Sequence, residues 1–516
     1  MMARPLLMGL GFVASIMWGP PAHGETTELA PRWTLTVPAR VRIVSGYVSA
    51  MDVSIQDPHL DDLVASDTLL TARLRVRPTL HWTPGGYFRH YRLSVDVQMR
   101  MTPWGGLTSP ALENDPRSEW QADTAALSLD QAFLAAEGKQ LSVQVGLIRP
   151  HFGLGLVSNG GEDAPARRVR ESPFGYARRG DRTARVQIAY FPMGVVTTKA
   201  HGPVPPLVLF AAGDMVMDDD SRRFGDSVFQ GLMGAMLHTR RLQLRVGLGR
   251  RHQEHARGGE TDIDLAVLYG MGTLVQRHGW RVWAEGEMAG YSGTSTLSES
   301  VLDPRPVEVL SGGGVLRLGV TCPAFEAVVE GGVASGDDSP FDRESHTFSF
   351  DRDYRVGLLL FGELARATTA VETLNVSDET YRKTAPRGYQ HIATAGAVRN
   401  AVYLNPRLVV TPTSEAAVYL GYVYARAEEA VADAFRSGLQ GGLPVGPRGA
   451  RDAQELGHEF DVAVEYELDR ILKKVAGQIR IRATLAVLFP GRVFDDAAGE
   501  PAKTVYGGWL QGEAQW

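Results

Sequence analysis

Arg73, Arg75 and Arg77 recur at every second position of one stretch. Each guanidinium is a planar fork that stays charged and binds carboxylate or phosphate through paired hydrogen bonds. A spacing of two puts all three on one face of a β-strand, with Ala72, Leu74 and Val76 on the other. After the turn Thr83-Pro84-Gly85-Gly86, the return arm repeats the pattern. Tyr91, Leu93, Val95, Val97, Met99 and Met101 alternate with Arg92, Ser94, Asp96, Gln98 and Arg100. The chemistry available is anion recognition on a charged sheet face whose reverse is apolar. With a four-residue turn, Arg77 falls opposite Arg92 and Arg73 opposite Asp96.

Each arm runs about a dozen residues, against about 5 or 6 in ordinary globular strands. Crossing a bilayer takes roughly 9 to 11 tilted residues. Placing the arginines toward hydrocarbon would cost roughly 2 to 4 kcal/mol each near the midplane. The apolar row therefore meets lipid and the arginines meet the lumen. The alternative is a long amphipathic hairpin in a soluble sandwich or barrel.

Composition agrees with a membrane β-barrel. The chain is 44% hydrophobic with 57 glycines, its mean hydropathy is -0.13, and no run of about 18 apolar residues occurs beyond the N-terminus. Only every second strand residue is apolar in such barrels. Residues 1–24 read as a secretory signal, with Arg4, the apolar stretch Leu6 to Trp18 and a small-residue site ending at Gly24. Its removal takes the net charge from -6 to -7. The single cysteine, Cys322, has no internal disulfide partner.

The same alternation recurs along residues 25–516 and predicts an all-β, transmembrane, antiparallel β-barrel of about eighteen strands. Strands fit Arg40 to Ala50, the two hairpin arms, Ala125 to Ala136, Leu141 onward, Ala184 to Phe191, Leu207 to Met217, Val228 to Leu237 and Leu242 to Arg251. The pattern continues in Ile263 to Gln276, Trp280 to Tyr291, Val315 to Cys322, Ala324 to Ser335, Val398 to Thr411 and Glu415 to Arg426. His458 to Arg470, Gln478 to Phe489 and Thr504 to Trp516 complete it. Short turns alternate with long loops, as periplasmic turns and extracellular loops do. The connection Pro192 to Pro206 is longer than its side predicts. The loop Gly336 to Ala397 is long enough to plug the lumen, and a short helix is expected around Tyr354 to Arg366.

Three segments resemble the alginate-export family of outer-membrane porins. The first is Val145-Gly146-Leu147-Ile148-Arg149-Pro150-His151-Phe152-Gly153-Leu154-Gly155-Leu156-Val157-Ser158-Asn159, although Leu147-Ile148 separates the Gly from the Arg. The second is Ala334-Ser335-Gly336-Asp337-Asp338. The third is Gly457-His458-Glu459-Phe460-Asp461 with Phe489-Pro490-Gly491. The resemblance implies a monomeric barrel exporting an acidic polysaccharide, fed by periplasmic export proteins. The terminal aromatic Trp516 is similar to the signal read by the barrel assembly machinery.

The inward face assigned from the alternation carries Arg73, Arg75, Arg77, Arg92, Arg100, Arg185, Arg245, Arg281, Arg317, Arg407, Arg480 and Arg482. It shares Asp96, Glu285, Glu287, Glu326, Glu330, Asp461, Glu465 and Glu467. Two readings stand side by side. Unpaired lumen arginines would draw anions, because a low-dielectric wall focuses their field. A mixed-charge, solvated lumen would show no preference. In the loop Arg149 to Thr183, Arg167, Arg168, Arg170, Arg178, Arg179 and Arg182 would form a cationic constriction, grip lipopolysaccharide phosphates at the rim, or stay solvated. Asp218-Asp219-Asp220 and Asp337-Asp338 fit solvated acidic loops better than Ca²⁺ sites, and no metal or cofactor is expected.

No Gly-x-Ser-x-Gly elbow, His-Glu-x-x-His or Cys/His cluster occurs. Loop residues such as His346 and Asp351 have no spacing that singles them out for catalysis. The acidic balance and export signal disfavour nucleic acid as a partner. The expected function is an outer-membrane porin for passive passage of solutes, with anion preference and export of an acidic polysaccharide as its sharper forms. Alternatives are an unselective small-solute porin and a non-conducting structural or adhesion barrel.

Overall fold

The computed structural model describes residues 27–30, 33–49, 51, 67–83, 88–104, 126–161, 180–194, 196–198, 202–204, 206–222, 225–256, 258–296, 306–339, 342–377, 393–468 and 477–516. The expected signal segment 1–24 lies outside them. Strands β1 (Ala39–Val48), β2 (Asp67–Val76, continued after Pro78 by Thr79–Trp82), β3 (Phe88–Trp104), β4 (Ala126–Gly138), β5 (Leu141–Ile148) and β6 (Arg182–Tyr190) come first. There follow β7 (Leu207–Asp218), β8 (Ser227–His238), β9 (Leu242–Glu254), β10 (Glu260–Arg277), β11 (Trp280–Ser295) and β12 (Val307–Thr321). The last are β13 (Phe325–Ala334), β14 (Ala401–Val410), β15 (Ala416–Arg426), β16 (Glu455–Glu467), β17 (Gln478–Pro490) and β18 (Val505–Gln515).

Each strand pairs antiparallel with the next, and β18 returns to β1 through pairs such as Leu510↔Ser45. The result is a closed antiparallel barrel of eighteen strands. Closure leaves no open sheet edge in hydrocarbon, where an unmade backbone hydrogen bond is costly. The two ends of the barrel wall meet, Trp516 N–H donating to Ala39 O at 2.9 Å. On the outside, Leu127 (76% exposed), Leu316 (56%) and Leu485 (67%) belong to a continuous apolar belt. Such a belt on a closed barrel is a lipid-facing surface, and it places the protein in an outer membrane.

Inward aromatics sit on glycines of the neighbouring strand. Trp509 lies opposite Gly46, Trp283 opposite Gly319 and Tyr403 opposite Gly332. A Cβ on Gly46 would stand 2.5 Å from the Trp509 ring. The large rings thus occupy space that only a bare backbone leaves open.

The structure corrects three local expectations. In the first hairpin Trp82 faces Tyr91 and Arg73 faces Arg100, so Arg77 is not opposite Arg92 nor Arg73 opposite Asp96. The return arm is displaced by an even number of residues, which preserves the face of every side chain while changing its partner. β12 begins at Val307 and runs through Gly312-Gly313-Gly314, read from sequence as loop; the Phe348 ring packs over Gly313, and a side chain there would block it. The expected helix at Tyr354 to Arg366 is displaced: a π-helical turn spans Leu360–Ala365 and helix α1 spans Arg366–Ser377. The overlong connection after β6 forms its own small hairpin, Val196–Thr198 against Gly202–Val204.

The long loop after β13 turns inward. Phe348, Phe350, Tyr354, Val356, Leu358 to Phe361 and Leu364 are buried together with the wall residues Tyr403, Tyr419, Val423, Ala463 and Trp509. Phe348 stacks on Tyr291 with centroids 5.1 Å apart, and Phe361 meets Tyr403 edge to face at 6.3 Å. Aromatic and aliphatic side chains at this density hold a loop by the same area burial that builds a core.

Candidate functional site

The inner wall from β16 to β3 carries charges in register. Across it, Glu467, Arg480, Glu513, Arg42, Arg73 and Arg100 form one row, each paired with the next. The adjacent row runs Gln515, Arg40, Arg75 and Gln98. Arg42 Nη2 lies 2.5 Å from Glu513 Oε2. Arg75 grips Asp96 with Nε at 2.9 Å, and Arg77 Nη2 reaches the same carboxylate at 2.9 Å. Arg482 Nε donates to Glu465 Oε2 at 2.9 Å, and Arg480 Nη2 lies 3.3 Å from Glu467 Oε1. The nine arginines Arg40, Arg42, Arg73, Arg75, Arg77, Arg92, Arg100, Arg480 and Arg482 thus outnumber the six carboxylates Asp96, Glu459, Asp461, Glu465, Glu467 and Glu513.

Elsewhere the wall is balanced. Arg185 forks onto Asp214 at 2.6 Å, and Gln230 Nε2 donates to the same carboxylate. Glu330 accepts from Arg317 Nε at 2.6 Å and Arg407 Nη2 at 2.8 Å. Arg245 lies over the Tyr269 ring at 5.1 Å. Within the arginine-rich wall, Arg92 of β3 lies 3.8 Å from Glu137 and over Phe133 at 5.2 Å. Arg281 stands opposite Gln276 and Thr321, at the turn end of β11.

Several lumen carboxylates hold loops. Glu459 of β16 accepts from the N–H groups of Leu358, of Leu359 at 2.9 Å and of Leu360 at 2.7 Å. Glu287 accepts from Leu154 and Leu156 N–H of the loop after β5. Tyr354 Oη joins Glu330 at 3.0 Å. Charge-assisted bonds of this kind are about twice as strong as neutral ones. Reading the sequence for lumen charge finds Glu287 and Glu330 but not this anchoring use, because the donors are loop backbone.

Of the loop arginines, Arg167, Arg168, Arg170, Arg178 and Arg179 lie outside the described residues. Arg182 is in β6 and pairs with Asp218 at 3.1 Å. Asp218, Asp219 and Asp220 bind arginines: Asp219 pairs with Arg251 at 2.5 Å, and Arg352 reaches Asp218 at 3.3 Å and Asp220 at 3.1 Å. Burial pushes Asp219 up, but the Arg251 guanidinium together with the Arg222 and Ser221 N–H groups holds it below the usual carboxylate range. Burial raises Asp220 to about 6. Asp337 accepts from Ser339 and His346 N–H, which ties its own loop. His151 is pushed down to about 4 by burial and by Arg245. Among the described residues no cluster of three or more His, Cys, Asp or Glu is arranged for a metal.

Arg40, Arg42, Glu513 and Asp214 were also legible, since each sits at an alternating strand position. The buried pair Arg149–Asp130 was not, because a bulge near Asp130 breaks the period of two.

The barrel is similar to the crystal structure of Pseudomonas aeruginosa OccK8 (OprE), with a TM-score of 0.52 and 8% identity over 93% of this chain and 98% of that one. It is also similar to Acinetobacter baumannii OccAB2 (TM-score 0.50, 10% identity, 93% and 98% covered) and to P. aeruginosa OpdL (0.50, 11%, 93% and 98%). No family model and no curated protein matches the sequence, and the alginate-export resemblance gains no support from these structures. At such identities the likeness is one of fold. The chain therefore has the architecture of an outer-membrane β-barrel porin.

Proposed function

We propose that this protein is a passive outer-membrane channel for small polar solutes and that it prefers anionic ones, carboxylates above all. The observation that carries this reading is the excess of guanidinium groups on the wall from β16 to β3, in rows aligned across adjacent strands. The arc from β11 to β14, one strand away from β16, carries Glu285, Glu287, Glu326 and Glu330 beside Arg281, Arg317 and Arg407. A solute passing the arginine rows meets their field, which a low-dielectric wall keeps from being screened away.

Export of an acidic polysaccharide is the less favoured form. The loop segment from Phe348 to Val371 is buried against the wall, which favours small solutes over a polymer. The same packing is what a non-conducting barrel would need.

Planar-bilayer recording separates these readings. The expected result is a conducting pore whose reversal potential in a salt gradient reports anion preference, with that preference reduced in the combined variant Arg73→Ala/Arg75→Ala/Arg77→Ala. A silent barrel overturns the channel reading, and a conducting barrel without ionic preference overturns the anion reading.

A further inference from the structure

One backbone N–H stands between two carboxylates at the rim. Asn159 N–H donates to Asp181 Oδ2 and to Asp351 Oδ2, each at 3.1 Å. Asp181 precedes β6, Asn159 belongs to the loop after β5, and Asp351 belongs to the infolded loop after β13. Both carboxylates are buried, at 5% and 6% exposure. The three segments are tied again by backbone: Asp181 N–H donates to Asn159 O at 2.8 Å and Asp351 N–H to Leu156 O at 2.7 Å. Gly180 N–H donates to Asp353 Oδ2 at 3.0 Å.

Asp351 Oδ1 accepts one further N–H, from Asp353 at 2.8 Å, and two N–H groups cannot neutralise two buried carboxylates. Asp181 Oδ1 is buried and has no hydrogen-bond partner among the described residues, an uncommon state for a native polar atom. The charged groups facing the pair do not remedy this. Asp219 and Asp220 approach from the turn after β7 and Asp353 from the infolded loop, all of the same sign. Arg352 is engaged with Asp218 and Asp220, and Arg251 of β9 with Asp219. Tyr291 of β11 and Arg399 line the same cavity, of about 350 Å³, together with Asp181 and Asp351. Two like charges packed this closely are relieved when one takes a proton.

We propose that Asp181 and Asp351 share one proton and form a clasp that holds the infolded loop against the barrel rim, and that losing this proton to solvent releases the loop. Burial first, and then the neighbouring aspartates, hold both carboxyls well above the usual range while clasped. With the loop out, each returns toward the ordinary value of about 3.9. The clasped state therefore binds more protons. Its stability is full below that value and falls as pH rises toward the raised one. The cavity beside the clasp opens as the loop leaves.

The test combines two readouts on the refolded full chain, so that a silent barrel does not mask the outcome. Trypsin cleavage after Arg352 and Arg355 is timed at several pH values and expressed relative to the Asp351→Asn variant at the same pH, which cancels the protease's own pH dependence. Single-channel gating is recorded alongside. Asp351→Asn removes one of the two like charges while keeping an oxygen that accepts from Asn159 N–H, so this variant imitates the protonated carboxyl permanently. The expected result is a wild-type cleavage ratio that climbs several-fold with rising pH, a gating frequency that follows it, and flat gating in Asp351→Asn. Asp351→Ala should be cleaved rapidly at every pH. A wild-type ratio constant across pH, or an Asp351→Ala loop as protected as wild type, overturns the clasp whether or not the barrel conducts.

Discussion

Tyr354 Oη of the infolded loop donates to Glu330 Oε1 of β13 at 3.0 Å, and Arg317 Nη2 of β12 donates to the same hydroxyl at 2.8 Å. A wall carboxylate and a wall guanidinium thus grip one loop phenol. Tyr354→Phe should cost about 1–3 kcal/mol, because Glu330 keeps Arg317 and Arg407. Glu330→Gln should cost more, about 3–5 kcal/mol, because two buried guanidinium groups lose their counter-charge. Denaturant unfolding in detergent checks the order; equal costs would contradict the central place of Glu330.

The Glu459 carboxylate collects three consecutive backbone N–H groups at the start of the helical segment of the loop. Glu459→Ala should leave them unsatisfied at about 1–3 kcal/mol each, and Glu459→Gln, with one acceptor oxygen, should fall between. The rate of tryptic cleavage after Arg366, buried in the native protein, should rise in the same order. Unchanged protection in Glu459→Ala would show that apolar packing alone holds the loop.

Asp96 neutralises Arg75 and Arg77 together. Asp96→Asn should therefore shift permeability toward anions, the opposite direction to removing the arginines. Reversal potentials in a salt gradient give the sign. An unchanged reversal potential would place this cluster away from the conducting path.

Gly319 lies under the Trp283 ring, which is fully buried and whose Nε1 donates to Thr321 Oγ1 at 3.1 Å. Gly319→Ala should cost about 1–3 kcal/mol through overpacking and should perturb tryptophan fluorescence. Gly512→Ala is the control, since a Cβ there meets nothing within 4 Å. A loss in Gly512→Ala as large as in Gly319→Ala would overturn the overpacking account, because Gly→Ala by itself favours a strand.

Much of the barrel was legible because the face of a strand residue is set by its position along a local period. Leu74, Leu93 and Met99 point outward while Arg73, Arg92 and Arg100 do not. Strand number follows from counting such segments. The helix near Tyr354 was misplaced because apolar residues from Val356 to Phe361 pack as an irregular turn against the wall, and tertiary burial overrides local periodicity there. The opposing pairs of the first hairpin were misjudged because alternation fixes face and leaves register open in steps of two.

The sequence by itself determined that the chain is a barrel, which side chains meet lipid and which meet the interior, because alternation is a local property of the backbone. The tertiary structure alone decided which of those interior charges are neutralised and what stands in the lumen. Arg42 finds Glu513 471 positions away, and Glu459 finds Leu358 N–H 101 positions away. Such pairings exist only once β18 closes on β1 and the loop after β13 has folded inward.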